Sequence, residues 1–436
     1  MSPSTTSTDV VCNEVPGASF PGDRLRLYRC VVNPRSFVGI IEGFYGTPWT
    51  WDDRIATCRF AQRFGADSYM YAPKSDPMHR DRWREPYERG DLDGFARLLA
   101  DANVRVGYAI SPGLSIRIDD PDDRSALVAK CRALRDVGIE WFCLALDDIH
   151  AGPDMGRQHG ELCAYLLDAL GVASLLLVPT DYTSIRSNPY LDGLAASVPE
   201  GVDIGWTGPT VVADHITAEQ ASGRAAALGG RRPWLWDNYP VNDGIMTERL
   251  FMGPRRGLDP ELANDLTGYL ANPMVQARAS WVALASAMTW WQSGTADEGW
   301  QRAISELGWD VFARCCDETH LASLTGDARR AFLVAASECG APGIDDDAQR
   351  WIRQVHREAK VALAYLDAET IEAQLFAVAQ WTRLPDPAVS VFGPRRSFRP
   401  VLGQRDDVGF ELKPEAIDYD RNAIDALVLG QARQSI

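Results

Sequence analysis

The chain is 436 residues long, 46% hydrophobic and 24% charged, with a formal net charge of -16. That balance suits a soluble globular protein with one large and one smaller domain, and no stretch is apolar enough to span a membrane. The acidic surplus argues against a nucleic-acid partner, because phosphate binding needs a local excess of Lys and Arg.

The first residues, MSPSTTSTDVVCNEVPGASF, have no basic segment leading into an apolar one, so residues 1–36 are expected to be an N-terminal tail and the compartment the cytoplasm. The nine cysteines, at 12, 30, 58, 131, 143, 163, 315, 316 and 339, form no C-x-x-C pair, which points to reduced and mostly buried thiols. From Phe37 onward, short β-rich runs alternate with helical-period stretches, the pattern of parallel strands joined by crossover helices. Strands are expected in SFVGIIEG, DSYMYAP, VRVGYAI, WFCLALDD, SLLLVPT, VDIGWTG, RPWLWDN and, more weakly, TGYLANP. Between them lie helical stretches such as Asp52–Phe64, Asp91–Ala102 and Arg124–Val137. Strand number and span match a (β/α)8 TIM-like barrel over residues 37–293. After about Trp291 the β signals stop, and a helical C-terminal domain is expected over 294–436. It includes an amphipathic stretch Asp345–Leu384 with Trp351, Ile352, Val355, Val361, Leu363 and Leu366 at helical spacing, and a final helix near Pro414–Leu429.

Each strand candidate runs apolar and then ends in a polar residue: Glu42, Lys74, Ser111, Asp147, Thr180, Thr207 or Asn238. Active sites of this fold sit at those carboxyl ends. In LALDDIH, Asp147 and Asp148 are chain neighbours, so both can reach one pocket only where the strand gives way to a loop. Two carboxylates that close favour one proton between them, which suits a general acid; an Asp before a helix is equally suited to capping it. Aromatic residues with amides and carboxylates at EGFYG, YAPKSDPMHR, PTDYT, WTGP and WDNYPVND are the mixture a sugar site uses, although tryptophans are more often core.

Taken in order, GIIEGFYGTPWTWDDR, YAPKSDPMHRDRWREPY, AISPGL, LALDDIH, PTDYT, WTGP, WDNYPVND and LANPM resemble the catalytic barrel of glycoside hydrolase family 84, from about Val38 to Gly294. The resemblance implies an enzyme that removes β-linked N-acetylglucosamine with retention through an oxazoline, so the partner is a substrate carrying that sugar. It implies Asp148 as general acid/base and Asp147 as the group that orients the substrate's acetamido group. It further implies that Gly43, Lys74, Asn238, Asp243 and Asn272 hold sugar hydroxyls, that Tyr182 lies near the acetamido oxygen, and that Trp236 and Val178 wall the acetyl pocket. Ser75 departs from the family's pattern, which has Asp there. Three rival readings stand beside this one. The first is a metallohydrolase using Asp147, Asp148 and His150, although the scattered histidines show no H-E-x-x-H spacing and neither metal nor cofactor is expected. The others are a non-catalytic sugar-binding protein and an enzyme acting on an amino-sugar of a secondary metabolite pathway.

Overall fold

The short apolar runs form strands because they are rich in β-branched, aromatic and leucine residues and are closed by Gly, Pro or Asp. The computed structural model describes residues 37–150, 152–381, 389–390, 397–405 and 409–417; the expected N-terminal tail lies outside them. The strands are β1 (Phe37–Glu42), β2 (Ser68–Tyr71), β3 (Arg105–Ile110), β4 (Trp141–Ala145), β5 (Leu175–Val178), β6 (Val202–Trp206), β7 (Trp234–Asp237), the two-residue β8 (Leu250–Phe251) and β9 (Gly268–Ala271). All but β8 close into a barrel in chain order, with β9 between β7 and β1 and every pairing parallel. The chain is therefore an eight-stranded (β/α)8 barrel, and the weakest strand candidate, in TGYLANP, is the one that closes it.

Helices α1 (Trp51–Gln62), α2 (Arg89–Asp101), α3 (Pro121–Val137), α4 (Met155–Leu170), α5 (Pro189–Ser197) and α6 (Ala218–Ala227) cover the outside. Helices α1, α2 and α3 start one to three residues before the hydrophobic period suggests, and in α1 and α3 a cap recruits the extra residues. Thr50 and Asp53 form a capping box on α1, and Asp120 caps α3 ahead of Pro121. Each such cap contributes about 1 kcal/mol. Inside the barrel, Phe37, Trp141 and Trp234 pack ring against ring, with Phe37 and Trp141 edge-on at 5.1 Å. Burying one such indole removes roughly 150–250 Å² from water, or about 4–6 kcal/mol before conformational entropy is counted. Above them, Val178 and Trp236 belong both to this interior cluster and to the lining of the pocket at the strands' carboxyl ends.

After β9 come α7 (Trp281–Ser293), α8 (Asp297–Leu307), α9 (Asp310–Arg314), α10 (Glu318–Ser323), α11 (Gly326–Ala336), α12 (Gln349–Leu366) and α13 (Ile371–Trp381). The amphipathic stretch Asp345–Leu384 thus divides into α12 and α13, with Trp351, Ile352 and Val355 buried. These helices hold the loops that follow β7 and β9. The Trp300 and Trp351 indoles donate to the carbonyls of Met252 and Glu248, Arg256 pairs with Asp297 and Asp317, and Gln276 donates to Asp347. Beyond them, β10 (Val389–Ser390) runs parallel to β8, while β11 (Ser397–Arg405) and β12 (Gly409–Ile417) form an antiparallel hairpin. The expected final helix near Pro414–Leu429 is corrected at its start, since Pro414–Ile417 end β12; residues 418–429 lie outside the described residues. Pro414 reads locally as a helix start, but pairing with β11 overrides that signal.

Candidate active site

β4 ends at Ala145, and the chain then leaves the barrel through Leu146, Asp147 and Asp148. Asp148 has a φ of +53°, in the left-handed region that Asp tolerates better than most residues. This turn lets consecutive side chains line one pocket, where a continuing strand would send them to opposite faces. The two carboxylates sit in different surroundings. Asp147 is buried and ion-pairs through Oδ2 with the Lys74 ammonium, whereas its Oδ1 is buried with no hydrogen-bond partner among the described residues. Asp148 is exposed and accepts from two phenols, Tyr45 at 2.8 Å on Oδ2 and Tyr182 at 3.0 Å on Oδ1. Burial first, and the Asp148 carboxylate after it, push both phenol pKa values well up, so the phenols stay protonated donors.

The opposite wall is a chain of amides. Asn272 accepts the Gly43 N–H at 3.0 Å and donates to Asn238 Oδ1 at 2.9 Å, which also accepts the Trp236 indole N–H at 2.8 Å; Asn238 then donates to the Val211 carbonyl at 2.7 Å. Gly43 stands so close to the Trp236 ring that a Cβ there would come within 2.2 Å of it, so this contact needs glycine. Lys74 lies 5.6 Å from the Trp236 ring centroid, which adds a cation–π contact to its pairing with Asp147. Asp243 accepts the Tyr45 N–H at 2.7 Å, and its carboxyl is held above the usual range, mainly by burial and further by the nearby Asp148 charge.

Every residue assigned to the site by resemblance lines this one pocket of about 260 Å³: Gly43, Lys74, Asp147, Asp148, Val178, Tyr182, Trp236, Asn238, Asp243 and Asn272. Tyr182, expected at the acetamido oxygen, reaches Asp148 with its hydroxyl. The pocket also contains Tyr45, Thr207, Val211, Val212, Val241, Gly244 and Met246, which the motifs did not single out as ligands. Tyr45 was visible within EGFYG; the aliphatic residues resemble core in sequence, and only the loops after β6 and β7 bring them to the pocket. Of the strand-end polar residues, Glu42, Ser111 and Thr180 fall outside the lining. Glu42 is instead clamped by Arg54 in two 2.8 Å bonds on the side facing α1 and also accepts from the Tyr69 phenol. Ser75 lies outside the lining as well, where its hydroxyl accepts the Gly46 N–H at 3.0 Å and supports the loop carrying Tyr45. The Lys74 ammonium lies beside Asp147, and His150 is exposed on the adjacent loop.

A parallel (β/α)8 barrel that gathers paired aspartates, amides and a tryptophan wall at its carboxyl end presents the mixture of groups that carbohydrate sites use. The β-N-acetylglucosaminidase family model matches residues 38–316, and the chain belongs to that family, glycoside hydrolase family 84. It is 32% identical over 278 residues to protein O-GlcNAcase of Rattus norvegicus, and equally to that of Mus musculus, across 59% of this chain and 30% of each relative. The chain therefore spans less than a third of the length of these curated relatives. Among solved structures, a mutant O-GlcNAc hydrolase of Thermobaculum terrenum is 25% identical with a TM-score of 0.67, covering 78% of this chain and 87% of that one. CpGH84B, 23% identical with a TM-score of 0.69 over 79% of this chain and 72% of its own, shares the fold. Among the described residues no helix is long and apolar enough to cross a membrane.

Proposed function

We propose that the chain is a retaining β-N-acetylglucosaminidase in which the substrate's own acetamido oxygen is the nucleophile. The observation that carries this reading is the buried Asp147 Oδ1, a carboxylate oxygen without a partner among the described residues, in a residue that lines the pocket and whose other oxygen is fixed by Lys74. A buried anionic oxygen calls for a donor, and the N–H of a bound acetamido group supplies one. Asp147 then polarises that group while its carbonyl oxygen attacks C1. The C1–oxygen bond to the leaving group breaks as Asp148 delivers a proton to the departing oxygen. Water next attacks C1 of the oxazoline from the face the leaving group vacated and gives its proton to Asp148; the C1–oxygen bond of the ring breaks, and the anomeric configuration is retained. Intramolecular attack supplies a large effective molarity, and Asp147 stabilises the positive charge that develops on the acetamido nitrogen.

The remaining residues fit sugar recognition. The Asn238 and Asn272 amides, the Gly43 backbone and Asp243 offer donors and acceptors to hydroxyls, with Trp236 and Val178 as apolar walls. The test is turnover of an aryl β-N-acetylglucosaminide beside the matching β-glucoside, which lacks the acetamido group. The reading predicts hydrolysis of the first alone, with competitive inhibition by a thiazoline shaped like the oxazoline. Equal hydrolysis of both sugars, or a sugar covalently trapped on an enzyme carboxylate, contradicts it.

A further inference from the structure

Two buried arginines are matched by carboxylates, since Arg54 forks onto Glu42 and Arg255 pairs with Asp237, whereas Arg224 comes only within 3.9 Å of Asp181 and Arg329 donates to the Leu324 carbonyl. Arg80 is 7% exposed, yet among the described residues no carboxylate lies within ion-pair distance of it, and its side-chain bond to Ser111 Oγ is a long one, 3.4 Å. Two acids of this region take neutral donors and form no ion pair with Arg80. Asp76 accepts from the phenols of Tyr71 and Tyr87 and from the Met78 N–H, and Asp148 accepts from Tyr45 and Tyr182. A guanidinium withdrawn from water without a counter-charge is costly unless something anionic joins it.

Its location says when such a group arrives. The Arg80 guanidinium carbon lies 5.8 Å from the centroid of the Tyr45 ring, and Tyr45 is half-exposed, lines the pocket and holds Asp148 through its hydroxyl. If Asp148 protonates the leaving oxygen, as the proposed function has it, the leaving group departs on the side of Asp148 and Tyr45. We infer that Arg80 forms an aglycone subsite beside Tyr45 that takes a negatively charged group, a carboxylate or a phosphate, carried by the leaving group next to the sugar. A guanidinium suits both, since its fork of N–H donors matches the oxygens of either in pairs. The preference is not a bulk effect, because a chain of net charge -16 repels anionic substrates at long range.

The test compares aryl β-N-acetylglucosaminides whose ring carries a meta carboxymethyl, a meta phosphonomethyl or the neutral meta carboxamidomethyl group, so that leaving-group basicity changes little. The readout is the ratio of kcat/KM for each anionic substrate to that for the amide, measured in wild type and in Arg80→Met. Wild type should favour at least one anionic aglycone by about tenfold, and Arg80→Met should bring that ratio to one or below. Whichever anion shows the larger ratio identifies the group the subsite takes. A wild-type ratio at or below one for both anions, with the amide still turned over, overturns the inference alone; no turnover of any of the three overturns the proposed function with it. A raised ratio that survives Arg80→Met overturns the assignment to Arg80. Should that variant fail to fold, Arg80→Lys takes its place: the ratio should fall there too, because an ammonium cannot reproduce the paired bonds, and an unchanged ratio overturns the assignment equally.

Discussion

Asp147 and Asp148 are neighbours in the chain but opposites in environment: the first is buried against the Lys74 ammonium, the second exposed and held by two phenols. The left-handed backbone at Asp148 makes the pairing possible, and an unusual conformation held in place by its surroundings is common where function requires it.

Removing the Lys74 charge tests how Asp147 is held. Lys74→Met leaves a carboxylate buried without its cation and should cost about 3–5 kcal/mol of stability, while activity collapses. Adding Asp147→Asn should recover most of that stability and none of the activity. Thermal melts of the two single variants and the double variant check this, and purely additive losses would show that the pair is not coupled.

Asp243 links the site to pH. Its carboxyl is raised above the ordinary value in the fold, chiefly by burial, so its ionisation opposes folding. The favourable contribution is complete below the unfolded carboxylate pKa, about 3.9, and is lost as pH rises through the folded value. Asp243→Asn, which keeps an acceptor for the Tyr45 N–H, should therefore melt higher than wild type at pH 7, with the gap closing near pH 3. At the same time kcat/KM should fall by roughly 10- to 100-fold if Asp243 accepts a sugar hydroxyl. A melting temperature at pH 7 equal to or below that of wild type would contradict the burial argument.

Glu42 separates scaffold from site. In sequence it stands at a strand's end like Asp147, but it is spent on Arg54 and Tyr69 facing α1. Glu42→Gln or Arg54→Met should lower stability by about 3–5 kcal/mol and leave kcat/KM of the folded protein within a few-fold of wild type. A loss of turnover at full stability would place Glu42 in the chemistry.

The barrel was legible because its strands are local, each an apolar run closed by turn residues, and even β9 obeyed that grammar over four residues. What escaped depends on distant partners. Leu250–Phe251 is a strand only because Val389–Ser390 lies beside it, and Pro414–Ile417 is strand only because Ser397–Pro400 pairs with it. The site divides the same way. The residues carried over from the motifs share one pocket, while Val211, Val212, Val241 and Met246 join it through loop paths that no local pattern encodes. The positive φ at Asp148 left no trace in the sequence beyond the residue type that tolerates it.

The most direct measurement of the account's central claim is the leaving-group dependence of kcat/KM in Asp147→Asn and Asp148→Asn, using aryl and alkyl β-N-acetylglucosaminides. General acid catalysis is worth about 10²- to 10⁴-fold and matters least when the leaving group is already stable as an anion. Asp148→Asn should therefore cripple alkyl substrates while largely sparing activated aryl ones, and Asp147→Asn should slow both, because closing the oxazoline ring is needed whatever departs. The same leaving-group dependence in both variants would contradict the division of labour between the two aspartates.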